Sequence, residues 1–180
     1  MLNLNKKMIE TSRLILSSMA AEDCEEARIL HNDPETIKWL SDTRIVSIDE
    51  QKMWFTRLQA SSSSKRYVAR TRTHSKLVGV FRFDRFDLNN MSAEVGLDID
   101  FASRRQGYAR EIYLALIPYF FNELSLNRLS LITLESNSAA INLYESLGFK
   151  REGILRQALR RDSQYFNAFQ YSLLATEFGK

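Results

Sequence analysis

Arg104-Arg105-Gln106-Gly107-Tyr108-Ala109 lies between an alternating, strand-like run over residues 93–99 and a long helix with an apolar stripe. A small-residue turn that opens a helix points several unpaired backbone N–H groups in one direction, and the helix dipole adds partial positive charge there. Gly107 and Ala109 carry almost no side chain to hold a ligand off the backbone, while Arg104, Arg105 and Arg110 crowd the turn with cationic donors. The stretch therefore reads as a cradle for a pyrophosphate. One glycine supports that weakly, and a glycine-containing loop with a solvated basic rim fits the same six residues.

Working outward, Ile112, Tyr113, Leu116, Ile117, Phe120, Phe121 and Leu124 recur at three- and four-residue spacing, which predicts a helix burying one face. Pro118 should kink it, because its ring removes an N–H and orphans the carbonyl of Leu114. A strand over 128–134, a helix over 138–147 closed by Gly148, and two strands over 150–160 and 165–174 follow. Upstream, period-two runs over 67–71, 77–83 and 93–99 read as an antiparallel meander. Before them come a strand over 13–17, a helix over 21–30, a break at Asp33-Pro34 and a short helix carrying Ile37 and Trp39. A third helix is announced by the capping box Ser47/Glu50. The order predicts a mixed α/β (α+β) domain whose central sheet is largely antiparallel, partly parallel, and flanked by helices on both faces.

Composition bounds the alternatives. A chain of 180 residues fits one domain, which buries about 70% of the surface its unfolded form exposes. Hydrophobic and charged fractions of 44% and 26% argue against disordered, collagen-like and membrane classes. The longest apolar stretch, over 112–121, is interrupted by Pro118 and falls short of the roughly 20 residues of a span. Residues 1–7 lack the apolar core and cleavage site of a signal peptide, so the cytoplasm is the expected location. Cys24, the single cysteine, permits no internal disulfide or thiolate cluster, and its acidic neighbours disfavour a thiolate. His31 and His74 stand in no ligand spacing, so no metal is expected. A net charge of +3 is too small to suggest nucleic acid as a partner.

A second element agrees with the cradle. Asn137-Ser138-Ala139-Ala140-Ile141-Asn142-Leu143-Tyr144-Glu145-Ser146-Leu147-Gly148-Phe149 starts a helix just after a strand, with Asn137 near its cap and Ala140 and Tyr144 four residues apart on one face. With these residues the chain resembles the GNAT superfamily of acetyl-CoA-dependent acetyltransferases. That family's signatures are a Gln/Arg-x-x-Gly-x-Gly/Ala loop and an Asn-x-x-Ala-x-x-x-Tyr-x-x-x-Gly-Phe helix. The opening Glu10-Thr11-Ser12-Arg13-Leu14-Ile15-Leu16 and the ending Tyr165-Phe166-Asn167-Ala168-Phe169-Gln170 are similar to the RimJ/RimL-like branch. Ala109 departs from the glycine common at that position. The resemblance implies a GNAT fold with a splayed sheet. It also implies that backbone N–H groups of Gln106, Gly107, Tyr108, Ala109 and Arg110 hold the pyrophosphate of acetyl-CoA, with Arg104 and Arg105 at the entrance. Leu97, Asp98 and Ile99 match the strand that pairs with pantetheine and offers an N–H to the thioester carbonyl, where it stabilises an oxyanion. Asn137 and Ala140 match positions beside the pantetheine arm, and Tyr144 the phenol beside the sulfur.

Acetyl transfer to an amine requires a neutral nucleophile, a stabilised oxyanion and a proton for the leaving thiolate. Glu94, on the strand three residues before Leu97, is the candidate base, acting directly or through water. Partial burial would raise its pKa. The alternative is a carboxylate paired with Arg82 or Arg85 across the meander. Tyr144 is the candidate acid; packed with its tip in water, it would be structural instead. His31, Asn32, Trp39 and Trp54 in the early helices, and Tyr165 in the last hairpin, are candidates for the acceptor side. The expected acceptor is an amine, either a small molecule such as a polyamine or amino sugar, or a protein N-terminus. Acidic residues of the helical arm would suit a cationic acceptor, whereas Arg156, Arg160 and Arg161 would suit an acidic one. Exposed edges at the terminal hairpin could pair across a homodimer. Rossmann and P-loop patterns are absent, and a catalytically silent acetyl-CoA sensor stands as the competing reading.

Overall fold

The computed structural model describes residues 8–179; the first seven residues, read above for a signal peptide, lie outside them. Among the described residues eight strands form one sheet: β1 (Met8–Glu10), β2 (Leu14–Ser18), β3 (Lys65–Thr71), β4 (Leu77–Asp87), β5 (Ser92–Ile99), β6 (Arg128–Leu134), β7 (Lys150–Arg161) and β8 (Gln164–Leu174). They lie in the order β1-β2-β3-β4-β5-β6-β8-β7. All neighbours are antiparallel except β5 and β6. That single parallel pair requires a crossover, and α4 (Tyr108–Pro118) supplies it.

α4 buries Ile112, Tyr113, Leu116 and Ile117 completely against the sheet. Past Pro118 the expected kink takes the form of a widening: Tyr119–Glu123 is a π turn in which the Leu124 N–H reaches the Tyr119 carbonyl at 3.1 Å. A π turn absorbs the missing proline donor without breaking the helix axis, and it aims Tyr119, Phe120 and Phe121 inward. Phe120 stacks on Phe83 and Phe81, with centroids 4.9 and 5.7 Å apart. On the same side α5 (Ser138–Ser146) adds Tyr144, which packs with Tyr113, Phe149 and Tyr171.

The opposite face is covered by α1 (Cys24–Asn32), α2 (Pro34–Ile37) and α3 (Ile48–Ala60), over a smaller core of Met19, Cys24, Leu30, Val68, Leu77 and Val80. Asp33 caps α2 by accepting from Glu35 and Thr36 N–H groups, with Pro34 at the first position. Four residues are all it sustains, so Trp39, expected on this helix, stands in the turn beyond it. Ser47 and Glu50 form the predicted capping box of α3. No helix among the described residues is long and apolar enough to cross a membrane.

Candidate active site

The site begins where the sheet fails. β5 and β6 are in register only through Ser92↔Arg128, Ala93↔Leu129 and Glu94↔Ser130, after which β5 continues along β4 and β6 along β8. A wedge-shaped gap opens beyond Glu94. The Asp100 N–H bonds the Val78 carbonyl on β4 at 2.9 Å, and strand alternation then turns the N–H groups of Asp98 and Gly96 toward β4 and those of Leu97 and Ile99 into the gap. Arg104 Nε meets the Ile99 carbonyl on that gap side at 3.1 Å, which agrees. With the Ile99 carbonyl taken by Arg104, Leu97 and the Ile99 N–H present strand-edge groups of the kind an extended ligand can pair with. The Asp98 backbone does not, so its grouping with them is corrected: its carbonyl faces β4 so closely that a Cβ on Gly79 would meet it at 2.5 Å.

At the far end of the gap, Gly107 caps α4 with φ +80° and ψ 0°, a left-handed conformation that glycine adopts without strain. The N–H groups of Tyr108, Ala109 and Arg110 have no acceptor within the helix, and Glu111 is the first to bond back, to the Gly107 carbonyl at 3.1 Å. Arg105 is exposed and has no ion pair among the described residues. Such a turn fits an anionic group. Arg104, read as an entrance cation, is directed elsewhere: its guanidinium donates to the Glu35 carbonyl and Thr36 Oγ1, both at 2.8 Å, and so ties α2 to the end of β5. Arg110 leans on Ser146 at the end of α5, and Gln106 donates to the Ala102 carbonyl.

Arg13 braces the turn and was not singled out from the sequence. It donates to the Gln106 carbonyl at 2.9 Å and to Glu111 at 2.7 Å, and its guanidinium lies 4.3 Å over the Tyr108 ring. Burial works against the Glu111 carboxylate, but Thr11 and Arg13 together hold its pKa below the usual range.

Across the gap Asn137 caps α5, accepting the Ala140 N–H at 3.2 Å. Ala140 and Tyr144 follow on one face, Ala140 partly and Tyr144 fully buried. Burial raises the Tyr144 pKa, while the neighbouring Tyr113 hydroxyl and the Arg82 cation oppose the rise. Tyr113 and Tyr144 meet edge to face with ring centroids 5.9 Å apart. The phenol of Tyr144 stays protonated at neutral pH, as a proton donor must.

On the other face of β5 the even-numbered side chains Glu94, Gly96 and Asp98 lie opposite Asp84, Arg82 and Val80 of β4. Glu94 is paired with Arg85 at 2.8 Å and also lines a small cavity of about 60 Å³ at the mouth of the gap, with Arg82, Trp39, Thr133 and Leu134. Both sequence readings of Glu94 thus meet in one side chain. A larger cavity, about 320 Å³, lies between β4–β5 and the helical arm, and His31 and Trp54 line it. Arg161 of the last hairpin donates to the Leu40 carbonyl and closes the arm against β7.

Two acceptor candidates are not brought there. Asn32 is held by the backbone of Val46, donating at 2.8 Å and accepting at 2.9 Å, and Tyr165 borders a separate pocket of the hairpin with Phe166 and Gln157. Arg82, which the sequence suggests only as a possible partner of Glu94, instead faces Asp98 at 3.7 Å and lines both cavities. Its signal was a cation interrupting the apolar run 77–83. Burial, with Asp23 beside it, pushes the Cys24 thiol up and keeps it an inert core side chain.

Comparison with known proteins fits this geometry. The family model described as acetyltransferase (GNAT) domain matches residues 13–150. The uncharacterized N-acetyltransferase p20 of Bacillus licheniformis is 28% identical over 171 residues, covering 93% of this chain and 96% of its own. The L-amino acid N-acetyltransferase AaaT of Escherichia coli is 26% identical over 160 residues, covering 88% and 96%. Among solved structures, spermidine N-acetyltransferase from Vibrio cholerae in complex with CoA and spermine superposes with a TM-score of 0.88 at 22% identity, over 93% of this chain and 98% of that one. That likeness is one of fold. With the family model spanning more than half its length, the chain belongs to the GNAT family and is an N-acetyltransferase.

Proposed function

We propose that the protein transfers an acetyl group directly from acetyl-CoA to a primary amine within a ternary complex. The observation that carries this is the gap beyond Glu94, which has a phosphate-suited turn at one end, the Leu97 and Ile99 N–H groups along one edge and a protonated buried phenol beside it. Gly107, Tyr108, Ala109 and Arg110, with Arg105, would hold the pyrophosphate, and Asn137 and Ala140 would border the pantetheine arm. In the transfer, the amine nitrogen forms a bond to the acetyl carbon as the carbon–sulfur bond breaks. The ammonium proton passes to Glu94, directly or through water, before attack; Tyr144 supplies a proton to the leaving sulfur, and the second proton that nitrogen sheds on becoming an amide restores the Tyr144 phenol. The Leu97 N–H faces the charge that develops on the carbonyl oxygen. Glu94 is available because exposed ion pairs such as that with Arg85 contribute only about 0.2–1 kcal/mol.

The ends of the chain support a RimJ/RimL-like placement, and relatives named for spermidine and L-amino acids support a small amine as the acceptor. The outer edge of β7, with Ile154 exposed, is where a second copy would pair. Incubating the protein with acetyl-CoA and an amine panel while following free thiol tests the reading. Amine-dependent thiol release is expected; saturable acetyl-CoA binding without turnover would instead support the sensor.

A further inference from the structure

We infer that the acceptor of the larger cavity is a small amine bearing its own anionic group, as an α-amino acid does, and that Arg82 and Arg57 recognise that anion. The inference rests on the acetyl-transfer reading above and adds the class of acceptor. Its basis is which charges around the cavity are already satisfied. Asp42 is gripped by Arg44 at 2.7 and 3.0 Å, and Glu50 accepts from both the N–H and Oγ of Ser47 in the capping box. Elsewhere on the helical arm, Asp23 and Glu26 share Arg70, Glu25 holds Arg28, and Glu35 holds Lys38. Apart from Asp98, which faces Arg82 at 3.7 Å, a polycation entering here would have to displace an internal cation or a helix cap at each carboxylate of the cavity wall.

The cations are less completely matched. Arg66 is paired with Asp84, but Arg57 lines the cavity with no ion pair among the described residues. Arg82 approaches Asp98 only to 3.7 Å, and its Nε is buried with no hydrogen-bond acceptor among the described residues. The side chain as a whole is 35% exposed, so the rest of its planar fork can donate to a carboxylate oxygen of a ligand beside Asp98. The site makes room for the fork: a Cβ on Gly96 would come within 2.6 Å of Arg82 Nη2. Position completes the case. Arg82 borders both the large cavity and the small one that holds Glu94, so an anion on Arg82 places an amine two bonds away at the entrance to the gap. Leu30, Leu40, Met53 and Trp54 leave apolar wall for a side chain.

The experiment compares L-methionine, L-methioninamide and spermidine as acceptors, following thiol release with rates expressed per deprotonated amine. L-methionine should exceed the other two in kcat/KM by about tenfold or more, the scale of one charge-assisted hydrogen bond. Arg82→Gln should bring the acid-to-amide ratio toward one, chiefly through acceptor KM, and Arg82→Lys should retain part of it. Arg57→Gln, at an exposed helical position, should lower the same ratio and serves if the Arg82 variants fold poorly. Thiol release in which the amide or spermidine matches the amino acid would overturn the inference and leave the acetyltransferase reading standing. Saturable acetyl-CoA binding with no release for any amine would overturn both.

Discussion

In the proposed transfer Tyr144 and Glu94 divide the proton work between two faces of one strand gap, and each role makes a separate prediction. Replacing Tyr144 with Phe keeps the packing against Tyr113 and Phe149 but removes the donor. The expected loss is on the order of 10²-fold in kcat, at the lower end for a lost general acid, with acetyl-CoA affinity retained. Because burial raises the phenol's pKa, its protonated form persists past the ordinary tyrosine value of about 10 and is lost only as pH rises through the folded value. A kcat profile with an alkaline limb near neutrality that disappeared in the Phe variant would contradict this placement. Glu94→Gln should flatten the acidic limb of the same profile; full retention of that limb would remove Glu94 as the base.

At the scale of elements, the turn before α4 is held in shape by a side chain from the other end of the chain. Arg13 reaches the Gln106 carbonyl, Glu111 and the Tyr108 ring, and an added Cβ on Gly107 would sit 3.5 Å from its guanidinium. Arg13→Ala should therefore raise KM for acetyl-CoA by roughly tenfold, the effect of losing one charged hydrogen bond that preorganises the site, with little change in acceptor KM. Gly107→Ala forces alanine into left-handed backbone at a cost of about 1–2 kcal/mol, visible as a lower urea midpoint. Glu111 ties the same cluster to pH. Its folded pKa is depressed, so its stabilising contribution is present above the ordinary carboxylate range, about pH 4.3, and is lost as pH falls through the lower folded value. Urea unfolding at pH 7 and pH 3 should differ less in Glu111→Gln than in the parent protein.

For the whole molecule, the aromatic core beneath α4 fixes both the turn and the gap to one rigid body. Phe120 is completely buried among Phe81, Phe83 and Tyr67, so Phe120→Ala should cost about 3–5 kcal/mol of unfolding free energy by urea titration. Weaker acetyl-CoA binding should accompany that loss, because the turn is the first residue of the helix that this core anchors.

Local chemistry was legible in the sequence. The Gly107 turn, the Ser47 capping box, the Asn137 cap and the apolar stripe of α4 are determined by neighbours within a few residues, and all four stand in the structure where the sequence puts them. The divergence of β5 from β6 was not legible from residues 92–99 or 128–134 alone, since register between strands far apart in sequence depends on what each pairs with on its other side. For the same reason Arg104, Asn32 and Tyr165 are directed away from the expected site, and Arg13 and Arg82 toward it. A side chain's type sets what it can bind, but which carboxylates and carbonyls it meets is decided by residues that folding brings together from tens of positions away. Sequence by itself determined the turn before α4 and the cap of α5, because neighbours within a few residues encode them; tertiary structure alone decided which strand edges and charges face the gap and the larger cavity, because those depend on residues that folding brings together.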